Sequence, residues 1–246
     1  VAAGVARNVR VDIWTDINCP FCYLGKARFE RALGEFAQRE QVEVVHRSFE
    51  LDPTLGPEET GPVVAKIASK YGISEAQAAA NERGIGAQAG ELGLTYLTEG
   101  RDFGNSFDMH RLLHFAHEQG RQADLLDALY RANFADARPA FGSAERLVEI
   151  AADAGFDAAA VRAVLADPTA YADAVRADET EASRLGITGV PFFVFDGKYA
   201  VSGAQPPAVF TQALTQGWST HQPTLQPIGA SDETCGPDGC ELPSRD

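Results

Sequence analysis

Val9-Arg10-Val11-Asp12-Ile13 alternates apolar and polar side chains, the period-2 pattern of a β-strand with one buried face. From Pro20 to Arg39 the period becomes helical, with Cys22, Phe29, Leu33 and Phe36 on one face. Val42-Glu43-Val44 opens a second strand that runs towards Phe49. Strand, helix and strand in this order make a βαβ unit. Its strands are expected to be parallel and its crossover right-handed.

From about Pro62 to about Leu185 the pattern is helical. Ser74 with Gln77 predicts a capping box. Asn105 or Ser106 starts a helix through His117, and Ser143 and Asp157 are expected N-caps of two more. Asp167-Pro168 predicts a cap followed by proline at the first helical position. Gly84, Gly86, Gly90 and Gly93 predict a loop or broken helix, or a short hairpin ending near Leu97.

The β pattern returns late. Phe192-Phe193-Val194-Phe195 and Lys198-Tyr199-Ala200-Val201 flank Asp196-Gly197, a hairpin signal whose two turn positions both want positive φ. Pro206 opens a final helix to about Gln216, and after Trp218 the chain is proline-rich and polar. Neither β part can bury a sheet alone. Joined, they predict an α/β fold with one mixed sheet, helices on both faces and a helical block inserted between the halves. The expected units are 9–61 with 187–217 as one discontinuous domain, 62–186 as the helical insertion, and 218–246 as a tail.

Composition narrows the function. A chain of 246 residues with 45% hydrophobic side chains can bury a sizeable core in one or two domains. A net charge of -14 argues against nucleic acid and anionic membrane as partners. No stretch approaches the ~18 apolar residues of a membrane-spanning helix. Residues 1–10 hold Arg7 and Arg10 but no apolar core of signal-peptide length, so a cytoplasmic location is expected unless a signal has been removed.

The chemistry concentrates in four cysteines, placed as two close pairs rather than as long-range staples. Cys19-Pro20-Phe21-Cys22 sits where strand hands over to helix. Cysteines three apart at a helix start share a face, one turn apart, and the helix N-terminus favours thiolate at the first. Pro20 suits the first turn, where its missing N–H costs nothing. The alternatives are a structural disulfide or half a zinc site. The second pair, Cys235 and Cys240, flanks Gly236-Pro237-Asp238-Gly239, a β-turn sequence. A turn brings its ends within ~7 Å, and a disulfide needs Cα atoms ~4.4–6.8 Å apart. If flexible, the linker from Trp218 has a root-mean-square reach of about 23 Å. That allows a relay of electrons between Cys235/Cys240 and Cys19/Cys22, or simply a local staple.

Asp16, three residues before Cys19, is expected either to accept a proton from Cys22 or shape the local potential, or to be a solvated strand-end carboxylate. His46 could approach the same region but is expected to pack in the sheet. His110, His114 and His117 share a helix face without a supporting acidic or thiol cluster, so packing or exposure is expected and no metal. Phe103, Phe107 and Phe115 are candidates for an apolar surface beside Cys19, with core packing the better reading.

Three motifs carry a resemblance to the DsbA family, whose fold is a thioredoxin fold (βαβ + ββα) with a large helical insertion. They are Cys19-Pro20-Phe21-Cys22 after a strand, Cys22-Tyr23-Leu24-Gly25-Lys26, and Thr188-Gly189-Val190-Pro191 before a strand. The second is similar to the FrnE-like branch of dithiol–disulfide isomerases, and the C-terminal C-x4-C pair resembles a second pair known there. The resemblance implies a protein disulfide oxidoreductase or isomerase, with Cys19 as nucleophile and Cys22 as resolving thiol. It also implies a cis Pro191 after Val190, facing the active-site pair; an ordinary trans proline is the alternative. Phe21 stands where the family's strongest oxidants carry histidine, which removes a thiolate-stabilising group. Implied partners are protein or peptide disulfides and thiols, together with a redox partner protein. No cofactor is implied beyond the redox-active disulfide and a thiol reductant such as glutathione or a thioredoxin-type protein. Two other readings stay open. One is a glutathione-dependent small-molecule isomerase or transferase of the same fold, against which Cys19 argues because such proteins typically carry serine there. The other is a non-catalytic domain whose four cysteines hold zinc.

Overall fold

The computed structural model describes residues 8–221. Cys235, Cys240 and residues 222–246 of the expected tail lie outside them, while 218–221, also expected in the tail, are helical. The alternation at the N-terminus produces β1 (Val9–Thr15), and the helical period produces α1 (Pro20–Glu35) with Cys19 at its N-cap. This helix stops short of Arg39, because Phe36 leaves the helical conformation and buries its ring, edge-on to Trp218. A single 3-10 turn, Arg39–Gln41, leads into β2 (Val42–Ser48), which pairs in parallel with β1 from Val9↔Val42 to Thr15↔Ser48.

The next segment holds β3 (Thr60–Pro62), α2 (Val63–Tyr71), α3 (Glu75–Glu91) and β4 (Asp102–Gly104). β3 and β4 pair into a small antiparallel ribbon that the hydrophobic pattern does not announce. The loop expected at Gly84, Gly86, Gly90 and Gly93 is corrected: the first three lie inside the continuous helix α3. Tertiary contact holds it, with Ile85 and Ala89 packed against Leu24 of α1. At Gly86 a Cβ would meet Thr98 Cγ2 at 2.6 Å, so this glycine serves close packing rather than a break. Ser74 caps α3 by accepting from the Gln77 N–H.

There follow α4 (Phe107–Glu118), α5 (Gln122–Phe134), α6 (Ala144–Asp153), α7 (Ala158–Ala166) and α8 (Ala172–Arg184). Ser143 and Asp157 cap α6 and α7 as expected. Asp167-Pro168 does not start a helix. Asp167 bonds the N–H and hydroxyl of Thr169 in a turn, while its carbonyl accepts from the buried guanidinium of Arg111. The helix begins only after Tyr171, at φ 60°.

β5 (Phe192–Phe195) and β6 (Tyr199–Ser202) form the expected hairpin, with Asp196 at φ 52° and Gly197 at φ 65°. α9 (Pro207–His221) starts one residue later and runs further than expected. Within the described residues the main sheet has the order β2-β1-β5-β6, with β5 antiparallel to both its neighbours. One face is covered by α1 and α9 through Phe29, Phe193, Phe195 and Phe210, and the other by α8 against Trp14.

Gly25 sets how closely α1 approaches the loop before β5. A Cβ there would stand 2.9 Å from Pro191 Cγ, a ring atom that cannot swing aside. Gly25→Ala is therefore expected to destabilise the fold by about 1–3 kcal/mol. Gly34→Ala, in the same helix with nothing within 4 Å of its Cβ, is expected to stabilise it by about 0.5–1 kcal/mol. Urea denaturation of the two variants checks the pair; equal effects would refute the packing argument.

Candidate active site

The two sulfurs lie where β1 ends and α1 begins. Asn18 and Cys19 turn the chain, with Cys19 N–H donating to the Asp16 carbonyl at 3.1 Å. Cys22 N–H donates to the Cys19 carbonyl at 3.0 Å, which starts the helix and stacks the two cysteines one turn apart. Both are free thiols, and both are buried in a core shared with Ile17, Met109 and Tyr130. The helices between β4 and β5 thus wall the pair from one side.

From the other side comes the loop before β5. Cys19 Sγ lies 3.4 Å from the Val190 carbonyl oxygen, and the Val190–Pro191 bond is cis. Phe21, between the cysteines, is 44% exposed, an unusual position for so large an apolar ring. Phe103 is buried against Leu55 and Val63, Phe115 packs on Phe156 and Tyr171, and half-buried Phe107 lies under Arg176. None of the three is an open surface beside Cys19. The insertion instead contributes the partly buried Tyr96, stacked on Phe134 with Tyr23 beyond.

Asp16 is wholly buried, so the solvated reading fails. Its carboxylate accepts from the Leu51 N–H at 2.7 Å and the Asn18 N–H at 3.2 Å, and lies 3.5 Å from His110 Nε2. Burial alone would raise its pKa. His110, the Leu51 N–H and Ser106 outweigh burial and hold it below the usual value. Burial pushes the Cys22 thiol well above its ordinary pKa, and the neighbouring Cys19 pushes the same way; the Thr15 hydroxyl and Asp16 N–H pull against them. Sequence patterns miss Thr15, Asn18 and Tyr130 here. Asn18 bonds both the N–H and the carbonyl of Gly104, tying the turn to β4.

The histidines do not converge. His110 faces Asp16, His114 sits 3.1 Å from both Asp178 and the Ser48 hydroxyl, and His117 is exposed. His46 packs in the sheet, its backbone bonded both ways to the Gln122 side chain. Burial, aided by Lys26, pushes its pKa down to about 3. The unfolded chain takes up that proton near pH 6.5, while the folded chain does so only near 3. Between those values the unfolded state binds more protons, so stability falls as the pH falls. Relative to neutral pH, His46→Leu is expected to lose about 2 kcal/mol less stability than the parent at pH 5, measured by denaturant titration at both pH values.

Comparison with known proteins agrees with this fold. A family model described as a DSBA-like thioredoxin domain matches residues 10–215. The chain is similar to the probable DsbA oxidoreductase SCO1869 from Streptomyces coelicolor, at 60% identity and a TM-score of 0.85, covering 96% of this chain and 100% of that one. The uncharacterized protein YwbO of Bacillus subtilis (strain 168) is 27% identical over 84% of this chain and 96% of its own. A 2-hydroxychromene-2-carboxylate isomerase shares the fold, with a TM-score of 0.59 at 17% identity over 86% of this chain and 96% of that one. These likenesses carry a DsbA-type assignment and do not single out the FrnE-like branch. They also correct the expected cytoplasmic location. DsbA-family oxidoreductases are characteristically periplasmic or secreted, and the likeness to the Streptomyces protein overturns that expectation. With the mixed sheet, the helical insertion and the family match all in place, the chain belongs to the DSBA-like thioredoxin domain family.

Proposed function

We propose that the protein is a thiol–disulfide oxidoreductase or isomerase in which Cys19 attacks and Cys22 resolves. The observation that carries this reading is the meeting of Cys19 Sγ with the Val190 carbonyl at the head of α1, with Cys22 buried one turn along. Burial disfavours Cys22 as the first nucleophile, because it raises the pKa of that thiol well above its ordinary value and so makes its anion costly to form. Cys19 attacks a substrate disulfide, releases one substrate thiolate and forms a mixed disulfide. Cys22 then attacks the Cys19 sulfur, closes the Cys19–Cys22 disulfide and releases the second substrate thiol. Two electrons pass from the dithiol to the substrate; the reverse sequence oxidises a substrate dithiol. The reduction potentials of the partners set the direction.

The substrates under this reading are protein or peptide disulfides and thiols. Exposed Phe21 offers them an apolar contact beside the sulfur, and Val190 offers them backbone. A thiol such as glutathione, or a thioredoxin-type protein, resets the pair. We further propose that Cys235 and Cys240 exchange electrons with it. α9 ends beside the start of β1, since Gly217 lies against Val9 and Phe195. The tail therefore leaves from the end of the sheet opposite Cys19, roughly 20 Å away by the length of β1.

Insulin reduction with dithiothreitol tests the first reading. The intact protein should accelerate precipitation, Cys19→Ser should fall to the uncatalysed rate, and Cys22→Ser should accumulate a mixed disulfide. An unaccelerated rate for the intact protein would sink it. For the relay, replacing both tail cysteines with serine should slow reoxidation of the Cys19–Cys22 pair; an unchanged rate would reduce the tail pair to a local staple.

A further inference from the structure

His110 is a wholly buried titratable residue that the exchange reading leaves unused. It stands on α4 at 0% exposure, and neither ring nitrogen makes a hydrogen bond among the described residues. An imidazole taken out of water without such a partner is costly, so shape alone does not account for it. What it meets is a second buried ionisable group. Its Nε2 lies 3.5 Å from Asp16 Oδ1, within reach of ionic attraction though not aligned as a hydrogen bond, and both side chains are 0% exposed. Among the described residues His110 is the one basic side chain in contact with Asp16. The carboxylate also accepts from the backbone N–H groups of Asn18 and Leu51, and it is ionised at neutral pH because its surroundings hold its pKa below the usual value.

Asp16 belongs to the turn that carries Cys19. Its carbonyl accepts the Cys19 N–H, so the two residues are the ends of one β-turn and lie within ~7 Å of each other. The Asn18 N–H that its carboxylate accepts lies inside the same turn. A net charge on Asp16 is therefore felt at Cys19, through a core that water screens poorly. A lone carboxylate there would oppose thiolate formation, because like charges disfavour one another. A carboxylate offset by a cation would not. The other charged groups of this region are already matched. Glu50 and Glu179 are held by Arg176, Asp178 by Arg47 and His114, and Asp108 by Arg111. The titratable residue of α7, Arg162, pairs with Glu145. Burial keeps Tyr130 of α5 and Cys22 of α1 neutral.

We propose that His110 carries the positive charge that offsets Asp16, and that this buried pair leaves Cys19 free to ionise. His110 is a positioning residue that acts on the sulfur through Asp16. A charge pair accounts both for an ionised carboxylate in the turn beneath a reacting sulfur and for a histidine, rather than an apolar side chain, on the inner face of α4. Neither group is tolerable in the core without the other, since desolvation penalises each charge and their attraction offsets the penalty. This inference rests on the exchange reading only in taking Cys19 as the sulfur that reacts. It adds to that reading a residue of the helical insertion, 91 positions from Cys19, that sets how readily the sulfur does so.

The test uses the reduced full-length protein with Cys22→Ser, so that Cys19 is the single cysteine of its tryptic peptide. Alkylation of Cys19 by iodoacetamide is followed by peptide mass spectrometry across the pH range, and the midpoint of the rate profile reports thiolate formation. His110→Gln leaves Asp16 uncompensated. It should move the midpoint up by about one pH unit, which slows alkylation about tenfold on the acid side. Adding Asp16→Asn to His110→Gln removes the stranded charge and should return the midpoint close to its starting value. A packing role for His110 predicts no rescue, because the second substitution only removes further contacts. Nitrogen NMR of protein labelled in its histidines reads the charge without any change at His110. One imidazolium signal present at neutral pH should be lost in Asp16→Asn, and that result decides the matter should His110→Gln not fold. An unmoved midpoint in a folded His110→Gln protein, a double variant no faster than His110→Gln, or no imidazolium signal lost in Asp16→Asn would overturn the proposal. Insulin reduction by the protein with Cys22 intact separates the two readings. If it fails while the midpoints shift and recover, the exchange reading falls and the charge pair stands; if it succeeds while His110→Gln matches its parent, only the charge pair falls.

Discussion

The antiparallel pairing of β1 with β5 determines where everything else in the site can lie. Its register, from Val11↔Phe195 to Trp14↔Phe192, carries Val190 and Pro191 past the end of β1 to the point where the chain turns into α1. The Cys19 sulfur meets the Val190 carbonyl across 171 positions of sequence only because those two strands run alongside. The parallel pairing of β1 with β2 does the same on the other flank and delivers the Leu51 N–H to Asp16. The C-terminal end of one central strand is therefore the meeting point of three stretches of chain.

That end is also where the helical insertion is registered to the sheet, and the ties are polar. Thr15 reaches α5, Asp16 reaches α4 through His110, and Asn18 reaches β4. Asn133 of α5 donates to the Ile17 carbonyl, while a guanidinium at Arg101 joins Glu82, Tyr96 and Asn133 in one buried group. Buried ion pairs add little net stability, because desolvation offsets attraction, but losing one partner costs about 3–5 kcal/mol. Apolar contacts would hold the insertion against the sheet in many similar orientations. Directional bonds to backbone and carboxylate select one of them.

The strands of the main sheet, the hairpin turn and the cysteine pair were legible in the sequence because each has a short-range signature: alternation in β1, Asp196-Gly197 between two apolar runs, two cysteines at a strand-to-helix boundary. What was not legible depends on residues distant in the chain. Gly84, Gly86 and Gly90 read as helix breakers until Thr98 and Leu24 are known to press on α3. Asp167-Pro168 reads as a helix start until Arg111 claims the nearby carbonyls, including those of Val164 and Ala170. β3 and β4 have three residues each, too few to show a period. Within the site, Asp16 drew notice by its spacing to Cys19. Thr15 and Tyr130 carry no motif, and only their 2.5 Å contact sets them apart.

The discontinuity of the sheet bears on how the protein is made. Cys19 and Cys22 belong to the first strand and helix, whereas β5, β6 and α9 come last. At synthesis rates of roughly 5–20 residues per second, about ten to thirty seconds separate the emergence of Cys19 from that of Val190. Throughout that interval β1 has β2 beside it on one edge and nothing of its own on the other. A nascent chain of this topology carries a pair of thiols before the walls that will enclose them exist, so these two sulfurs meet whatever oxidants and thiols surround the chain while they are still uncovered.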